Sequence, residues 1–444
     1  MKRWMVWSVL FVCGVSALSA GVVTNSNQSA IYIRMLSRNP SMDIDAVYYN
    51  PAGLVKLSDG FHLAIHNQTI LQDKKINSQF PFLNDTMYVG KVNVPIFPNA
   101  YAVYKKDRMA LSFGFGPNGG GGTADFTRGL PSFEIPISLL PVMLTGMGLR
   151  TTQYSADIAL EGRSIFLGFQ GNLSYAVNDT VAVAVGARLI QAKNTYLGHI
   201  KNVMINPLFA GNPTAQMISA PGFFTMIGRP DLAARTSDMS VDAEQTGSAI
   251  TPIVSLNLTP AEGLNISLKY EFKTALELQN KTAKDDTGMF PDGLLFRNDI
   301  PAILSAGAQY AVTPQWRALL SFNYFFDKDA DWGGDEKLVD TNTYEFSLGT
   351  EYDISPMLTL SAGYLRTQFG LNELYQSDLS HELSSDTFGF GGRIRATDRL
   401  DIDLGVIFVS YQNITRNWVT QGIPYPETYS RTTTAFSVGL GYRF

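Results

Sequence analysis

The chain ends on TTTAFSVGLGYRF, a run in which every second side chain from Phe436 on is large and apolar. Phe436, Val438, Leu440, Tyr442 and Phe444 fall on one side of a strand; Ala435, Ser437, Gly439, Gly441 and Arg443 fall on the other. Such a strip suits a wall with lipid outside and a small or polar lumen inside. The same rhythm sets Val181, Val183 and Val185 against Ala182, Ala184 and Gly186. It also sets Leu264, Ile266, Leu268, Tyr270 and Phe272 against Asn265, Ser267, Lys269, Glu271 and Lys273. Trp316, Ala318, Leu320, Phe322, Tyr324 and Phe326 make a further face. A soluble sandwich alternates too, so the connections have to decide.

The pattern predicts fourteen strands, near 61–76, 99–107, 109–117, 151–177, 180–194, 239–258, 263–280, 297–311, 315–328, 342–353, 357–370, 385–397, 399–414 and 431–444. Short joins at 106–108, 178–179, 259–262, 312–314, 354–356 and 398 then alternate with long ones around 77–98, 118–150, 195–238, 281–296, 329–341, 371–384 and 415–430. An even strand number with short turns at one end and long loops at the other is the habit of bacterial outer-membrane barrels. A sandwich has no reason to sort its loops this way. Residues 151–177 can be read as one strand or as two turning at Glu161-Gly162-Arg163, because the apolar face is even-numbered before Gly162 and odd-numbered after it. Two strands would make fifteen and reverse every later loop, so one long strand with a bulge at Gly162 fits better. The expected fold is all-β, a transmembrane antiparallel barrel of fourteen strands.

The start of the chain reads as an address. Lys2 and Arg3, an apolar run from Trp4 to about Leu18, and the small residues Ala17-Leu18-Ser19-Ala20 have the layout of a secretory signal peptide, expected to be removed as residues 1–20. The one cysteine, Cys13, lies inside that leader, so the remaining chain offers neither a disulfide nor a thiol site. Charge is mildly acidic, 34 Lys and Arg against 39 Asp and Glu, which argues against a nucleic-acid partner that needs a basic stripe. No later segment holds 18 consecutive apolar residues, the length a spanning helix needs.

Residues 21–58 do not alternate. Asn39-Pro40 and Asn50-Pro51 are each an N-cap residue followed by a proline suited to a first helical position, which predicts short helices starting at Pro40 and Pro51. Helices that short need something to pack on. A fourteen-strand lumen is wide enough to need filling, so this segment is expected to be a plug, with the barrel as residues 59–444.

DAVYYNPAGL, the glycine-rich FGFGPNGGGG, DIPAILSAGAQYAVTPQW, YEFSLGTEYDISPMLTLSAGYL and the terminal Phe444 together resemble the FadL family of outer-membrane transporters of long-chain fatty acids and related hydrophobic compounds. The likeness runs over essentially the whole chain after the leader. One stretch departs: YIRMLSRNPS, residues 32–41, is bulkier and more basic than the family's small-residue counterpart. The resemblance implies an N-terminal hatch inside the barrel, residence in the outer membrane of a Gram-negative bacterium, and delivery by the insertion machinery that reads a terminal aromatic residue. It also implies passive uptake with a hatch gate at Asn50, Pro51 and Ala52 and a lateral exit where strand three is kinked. Gly114 and Gly116 on the inward side, followed by Pro117, are where pairing should weaken.

The long loops carry their own signal. Phe133, Leu139, Leu140 and Met143 in the 118–150 loop, with Met204, Phe209, Met217, Phe223, Phe224 and Met226 in the 195–238 loop, make them far greasier than porin loops. Flexible Met-rich apolar surface suits capture of a hydrophobic small molecule; equally, such loops pack on each other as a cap. Inward cations Arg188, Lys269 and Arg317 are candidates for a substrate headgroup, or simply balance the inward acids Glu271, Asp327, Glu345 and Glu351. No cofactor or metal is called for, and although His62 and His66 share a face, no nucleophile stands beside them. A surface antigen or adhesin using its long loops for partner binding is the alternative reading.

Overall fold

The computed structural model describes residues 25–444; the expected leader, its cleavage site and Cys13 lie outside the described residues. Fourteen antiparallel staves form one closed sheet. In chain order these are β1 Gly60–Ser78, β2 Met87–Lys106, β3 Met109–Phe126, β4 Tyr154–Ala176, β5 Val181–Ile205 and β6 Met239–Ala261. Next come β7, in two pieces Leu264–Glu271 and Glu277–Asp285, and β8, in two pieces Leu295–Arg297 and Ile303–Ala311. The remaining staves are β9 Trp316–Phe325, β10 Tyr344–Ser355, β11 Leu358–Gln368, β12 Ser385–Arg395, β13 Leu400–Tyr411 and β14 Ile423–Arg443. β14 returns to β1, from Arg443 opposite His62 to Glu427 opposite Ser78, so the barrel has no free edge. The outward set of β14 includes Phe436, Val438, Leu440 and Phe444, all well exposed on the outer surface, as a lipid-facing wall requires.

The wall is lopsided. β1 to β6 and β14 run 18 to 25 residues, whereas β9 to β13 run 10 to 12. Several staves therefore reach well past the lengths their apolar alternation predicts: β2 begins at Met87, β5 continues to Ile205, and β14 starts at Ile423 and pairs with an extra strand, Ile414–Thr420, as a tall hairpin. Above the lipid the outer surface is wetted, so the apolar-out rule no longer applies there.

β4 shows the change of medium within one stave. It is a single strand, but it has no bulge at Gly162: its register with β5 is unbroken from Asp157 opposite Lys201 to Ala176 opposite Ala182. Even-numbered residues face inward throughout, from Tyr154 and Ile158 through Phe166 to Gln170 and Asn172. Low in the wall the outward residues are lipid-facing, such as Leu173 and Tyr175; higher up they are Asp157, Glu161 and Arg163. The apolar side moves inward because the upper wall faces water outside and a capped interior within.

Residues 25–57 fill the lumen. Ser29 caps the short helix α1 (Ala30–Ile33) by accepting from Tyr32 N, and a second short helix, α2 (Ala46–Tyr49), leads into a 3-10 helix, Pro51–Lys56. Ile31, Ile33, Leu36, Val47 and Leu54 pack as a buried cluster against Ala64, Tyr101, Val103 and Ala110 of the wall. The expected helix at Pro40 does not form. Asn39 instead spends its amide on the wall, donating to Ala306 O and Phe322 O at 3.0 Å each, while Asn265 Nδ2 donates to Pro40 O at 2.9 Å. With those groups satisfied by the staves, the backbone stays a turn.

Over the tall side sit α3 (Pro131–Ser138), α4 (Leu140–Gly146), α5 (Ala220–Met226) and α6 (Pro230–Thr236). They share one apolar cluster with the inner face of β4 and β5, including Leu144, Ile158, Val203, Phe223 and Leu232.

Candidate functional site

The stretch YYNPAGL ties the plug to three neighbouring staves of the wall, β4, β5 and β6. Asn50 donates from Nδ2 to Ser41 O at 2.9 Å and to Asn257 Oδ1 at 2.7 Å, and its Oδ1 accepts from Ser255 at 3.2 Å. Ser174 of β4 donates to Pro51 O at 2.7 Å, and Ala52 is fully buried against Ala182 and Ala184 of β5. Asn50 thus ties the plug to β6 rather than capping the 3-10 helix with its side chain. The turn is tight enough that a Cβ on Gly53 would lie 2.5 Å from both Asn50 Nδ2 and Ser41 O.

Tyr48 lies between two cations. The Arg188 guanidinium is 4.5 Å from its ring centroid and Lys269 Nζ is 4.7 Å from it, near the optimum for cation–π attraction. Both cations share one acid: Glu271 lies 2.6 Å from Arg188 Nη1 and 2.6 Å from Lys269 Nζ. Lys269 also donates to Tyr48 O at 2.9 Å, and Gln170 Oε1 accepts from Arg188 Nε at 2.9 Å. Two positive groups on one negative group leave this buried cluster with an excess positive charge. Beside it Tyr48, Tyr101, Phe115, Gly116, Gln170 and Arg188 line a small cavity of ≈10 Å³, room for about one water.

The cavity abuts a gap in the wall. β2 and β3 pair up to Ala100 opposite Phe115 and resume at Val92 opposite Ala124; residues 93–99 and 116–123 make no ladder between them. Pro95, Pro98 and Pro117 lack the amide a ladder uses, and β3 breaks register against β4 at Pro117/Gly119 and again at Gly120/Gly122. Carbonyls left unpaired here need partners, because lipid offers none. The plug supplies them: Gln28 Nε2 donates to Pro117 O at 2.7 Å, Asn25 N to Asn118 O at 2.9 Å, and Asn25 Nδ2 to Gly120 O at 2.6 Å. From the β2 side Asn99 donates to Gln28 Oε1 at 2.9 Å. Gly116 lets these amides approach, since a Cβ there would lie 2.1 Å from Asn99 Nδ2.

Toward the short-turn end the plug is held by ions. Arg34 bridges Glu351 at 2.7 Å and Asp403 at 3.0 Å, Arg38 pairs with Asp45 at 2.6 Å, and Asp43 pairs with Arg393 at 2.6 Å. Burial pushes the Asp43 carboxyl up, but Arg393 and Arg38 outweigh it and hold it well below the usual carboxylate range. Of the basic residues that set 32–41 apart, Arg34 anchors the plug to the wall and Arg38 braces the plug internally against Asp45. They border a polar vestibule of ≈440 Å³ with Arg317, Asp353, Arg395 and Asp401.

Of the three candidate headgroup cations, Arg188 and Lys269 come together on Glu271 and Tyr48, and Arg188 also lines the cavity. Arg317 lies apart in the vestibule, paired with Glu351 at 3.2 Å and Asp353 at 2.7 Å. Gly116 and Pro117 lie at the gap, whereas Gly114, expected to weaken pairing, remains in the ladder opposite Tyr101. The apolar loop residues pack on one another: Leu140, Phe223 and Phe224 are buried, Phe133, Leu139, Met143, Met204, Phe209 and Met217 are half-buried, and Met226 is 59% exposed. Glu134 of α3 accepts from Tyr88 and Tyr154 hydroxyls at 2.7 Å each, fastening the cap to β2 and β4. Asp378 accepts from Ser132 N at 2.7 Å, and burial raises its carboxyl. Asn25, Gln28 and Asn99 are invisible to pattern reading; the only signal for them is amide side chains flanking prolines in or near strands.

No known family profile and no curated protein matches the chain in sequence. Solved structures do match in shape. A Pseudomonas aeruginosa FadL homologue aligns with TM-score 0.63 at 13% identity, covering 96% of this chain and 100% of that one. The Pseudomonas putida toluene transporter TodX aligns with TM-score 0.58 at 15% identity, over 90% of this chain and 94% of that one. The Ralstonia pickettii toluene transporter TbuX gives 0.55 at 15%, over 90% and 94%. With fourteen staves closed around a buried N-terminal plug, the chain has the FadL-type outer-membrane barrel fold.

Proposed function

We propose that this protein is a passive uptake channel for hydrophobic compounds in the outer membrane of a Gram-negative bacterium. The observation that carries the reading is the gap between β2 and β3, stoppered by side-chain amides of Asn25 and Gln28 instead of by a ladder. A stopper of a few hydrogen bonds, each worth about 1 kcal/mol net, is removable in a way a ladder is not. Cargo gathered at the apolar cap displaces the 25–28 segment, which widens the small cavity at Tyr48 and Arg188, and leaves sideways into lipid. The charged vestibule below the plug supports that direction, since an apolar molecule gains nothing by entering it.

Cargo class follows from the cavity. Tyr48, Tyr101 and Phe115 in its lining suit a hydrocarbon, and two of the neighbours in shape are toluene transporters. The surplus positive charge at Arg188 and Lys269 favours a molecule that also carries a carboxylate, such as a long-chain fatty acid. Uptake of labelled fatty acid and labelled toluene by liposomes holding the purified protein tests both points. Fatty acid entering several-fold faster than into empty liposomes supports the reading; equal entry with and without protein overturns it. Toluene uptake alone would remove the carboxylate and leave the channel.

A further inference from the structure

The gap has a second edge, on the lipid side, that the plug does not touch. β2 carries one extra residue against β1: the register steps from Gln68 opposite Phe97 to Ile70 opposite Val94, so that Pro95 and Ile96 together face the single Thr69. The bulge throws Ile96 outward, 71% exposed, and turns Phe97 inward, 3% exposed. It leaves the Pro95 carbonyl and the Phe97 amide at a depth where no water serves them.

Two β1 side chains meet them. Asn67 Nδ2 donates to Pro95 O at 3.2 Å, Thr69 Oγ1 donates to the same oxygen at 3.0 Å, and Phe97 N donates to Asn67 Oδ1 at 3.0 Å. Asn67 and Thr69 share the outer face of β1 with Phe61, Leu63, Ile65 and Leu71, all exposed apolar residues. Their neighbours across the β14 ladder are Val438 and Phe436, which lie in the lipid-facing belt. Polar side chains are costly on that surface unless hydrogen-bonded, and these two are bonded to backbone that an ordinary ladder would have served.

We propose that Asn67 and Thr69 are positioning residues for the lateral opening: bonded to Pro95 and Phe97, they hold the β2 bulge that keeps β2 apart from β3. Without them the bulge has no partner on its outer side. The lowest-cost repair is for β2 to straighten, returning its groups to a ladder and narrowing the gap. The proposal rests on the lateral-exit reading for its functional meaning, but its structural content stands independently.

The test is a distance. Spin labels at Asn93→Cys on β2 and Gly121→Cys on β3 span the gap; Asn93 is exposed outside the bulge, and a Cβ at Gly121 meets nothing within 4 Å. The background is Cys13→Ser. Asn67→Leu with Thr69→Val, apolar replacements suited to a lipid face, should shorten the label distance by several ångströms, on the scale of one strand spacing. Fatty-acid uptake should fall about tenfold, the loss expected when roughly one net hydrogen bond's preference for the open wall is removed. Thr69→Val alone should move the distance in the same direction, which keeps the test usable if the double variant does not fold. Thr69→Ser, which keeps the donor, should leave it at the wild-type value. An unchanged distance in folded Thr69→Val and the double variant overturns the proposal. Absent uptake in wild type with a shortened variant distance overturns the transport reading and leaves this one standing.

Discussion

Tyr48, Arg188, Lys269 and Glu271 make a cluster in which one substitution separates charge from shape. Lys269→Met keeps the stem over the Tyr48 ring and leaves Arg188 and Glu271 as a neutral pair. The variant should lose the preference for a fatty acid over its methyl ester while still passing the ester, read as a ratio of uptake rates. Truncating the acid is harsher: Glu271→Ala strands two buried cations and should cost about 3–5 kcal/mol of plug or barrel stability, measured by thermal unfolding in detergent. Gly53 offers a purely steric check. An alanine there drives a Cβ into Asn50 and Ser41 O, and overpacking of this kind costs about 1–3 kcal/mol, visible as earlier protease access to the plug. Asn50 and Gly53 both stand out in the sequence as YYNPAGL. Their partners Asn257, Ser255 and Ser174 do not, because inward-facing small polar residues occur on nearly every stave and only the closed barrel selects among them.

At the scale of elements, strands were readable wherever one medium lies on each side. Apolar alternation marks β9 to β14 at lipid depth because lipid lies outside and a polar lumen inside. It loses β2 before Asn99, where prolines and the bulge break the rhythm, and β5 after Asn194, where the outside is water and the cap makes the inside apolar. The Gly-Pro run of β3 told of weakness; that the plug's own amides would stopper it could not be read from spacing. Loop 326–343 gives a pH test. Asp327, buried at its base, accepts from Thr343 N at 2.8 Å, and desolvation raises its carboxyl to about 6. A carboxyl raised in the folded state stabilises most below its unfolded value near 4 and loses that contribution as pH rises through 6. The loop should therefore show slower amide exchange at pH 4 than at pH 7 after correction for intrinsic rates, a difference on the order of 3 kcal/mol or less. Asp327→Asn should abolish the dependence.

The whole molecule is a closed hoop holding a plug that touches staves all round it. Arg34 reaches β10 and β13, Asn39 reaches β8 and β9, Asn50 reaches β6, and Val47 O accepts from Asn172 of β4. The strand count, the sorting of loops and the presence of a plug all follow from the sequence; the plug's stitching does not, since it joins residues hundreds apart. The β1–β14 ladder, from His62 opposite Arg443 to Ser78 opposite Glu427, carries a consequence for assembly. A segment bonded to nearly every stave is most easily seated while the sheet is still an open trough. Biogenesis then has a fixed order, in which the first residues made wait against the early staves and the last strand synthesised shuts the seam behind them.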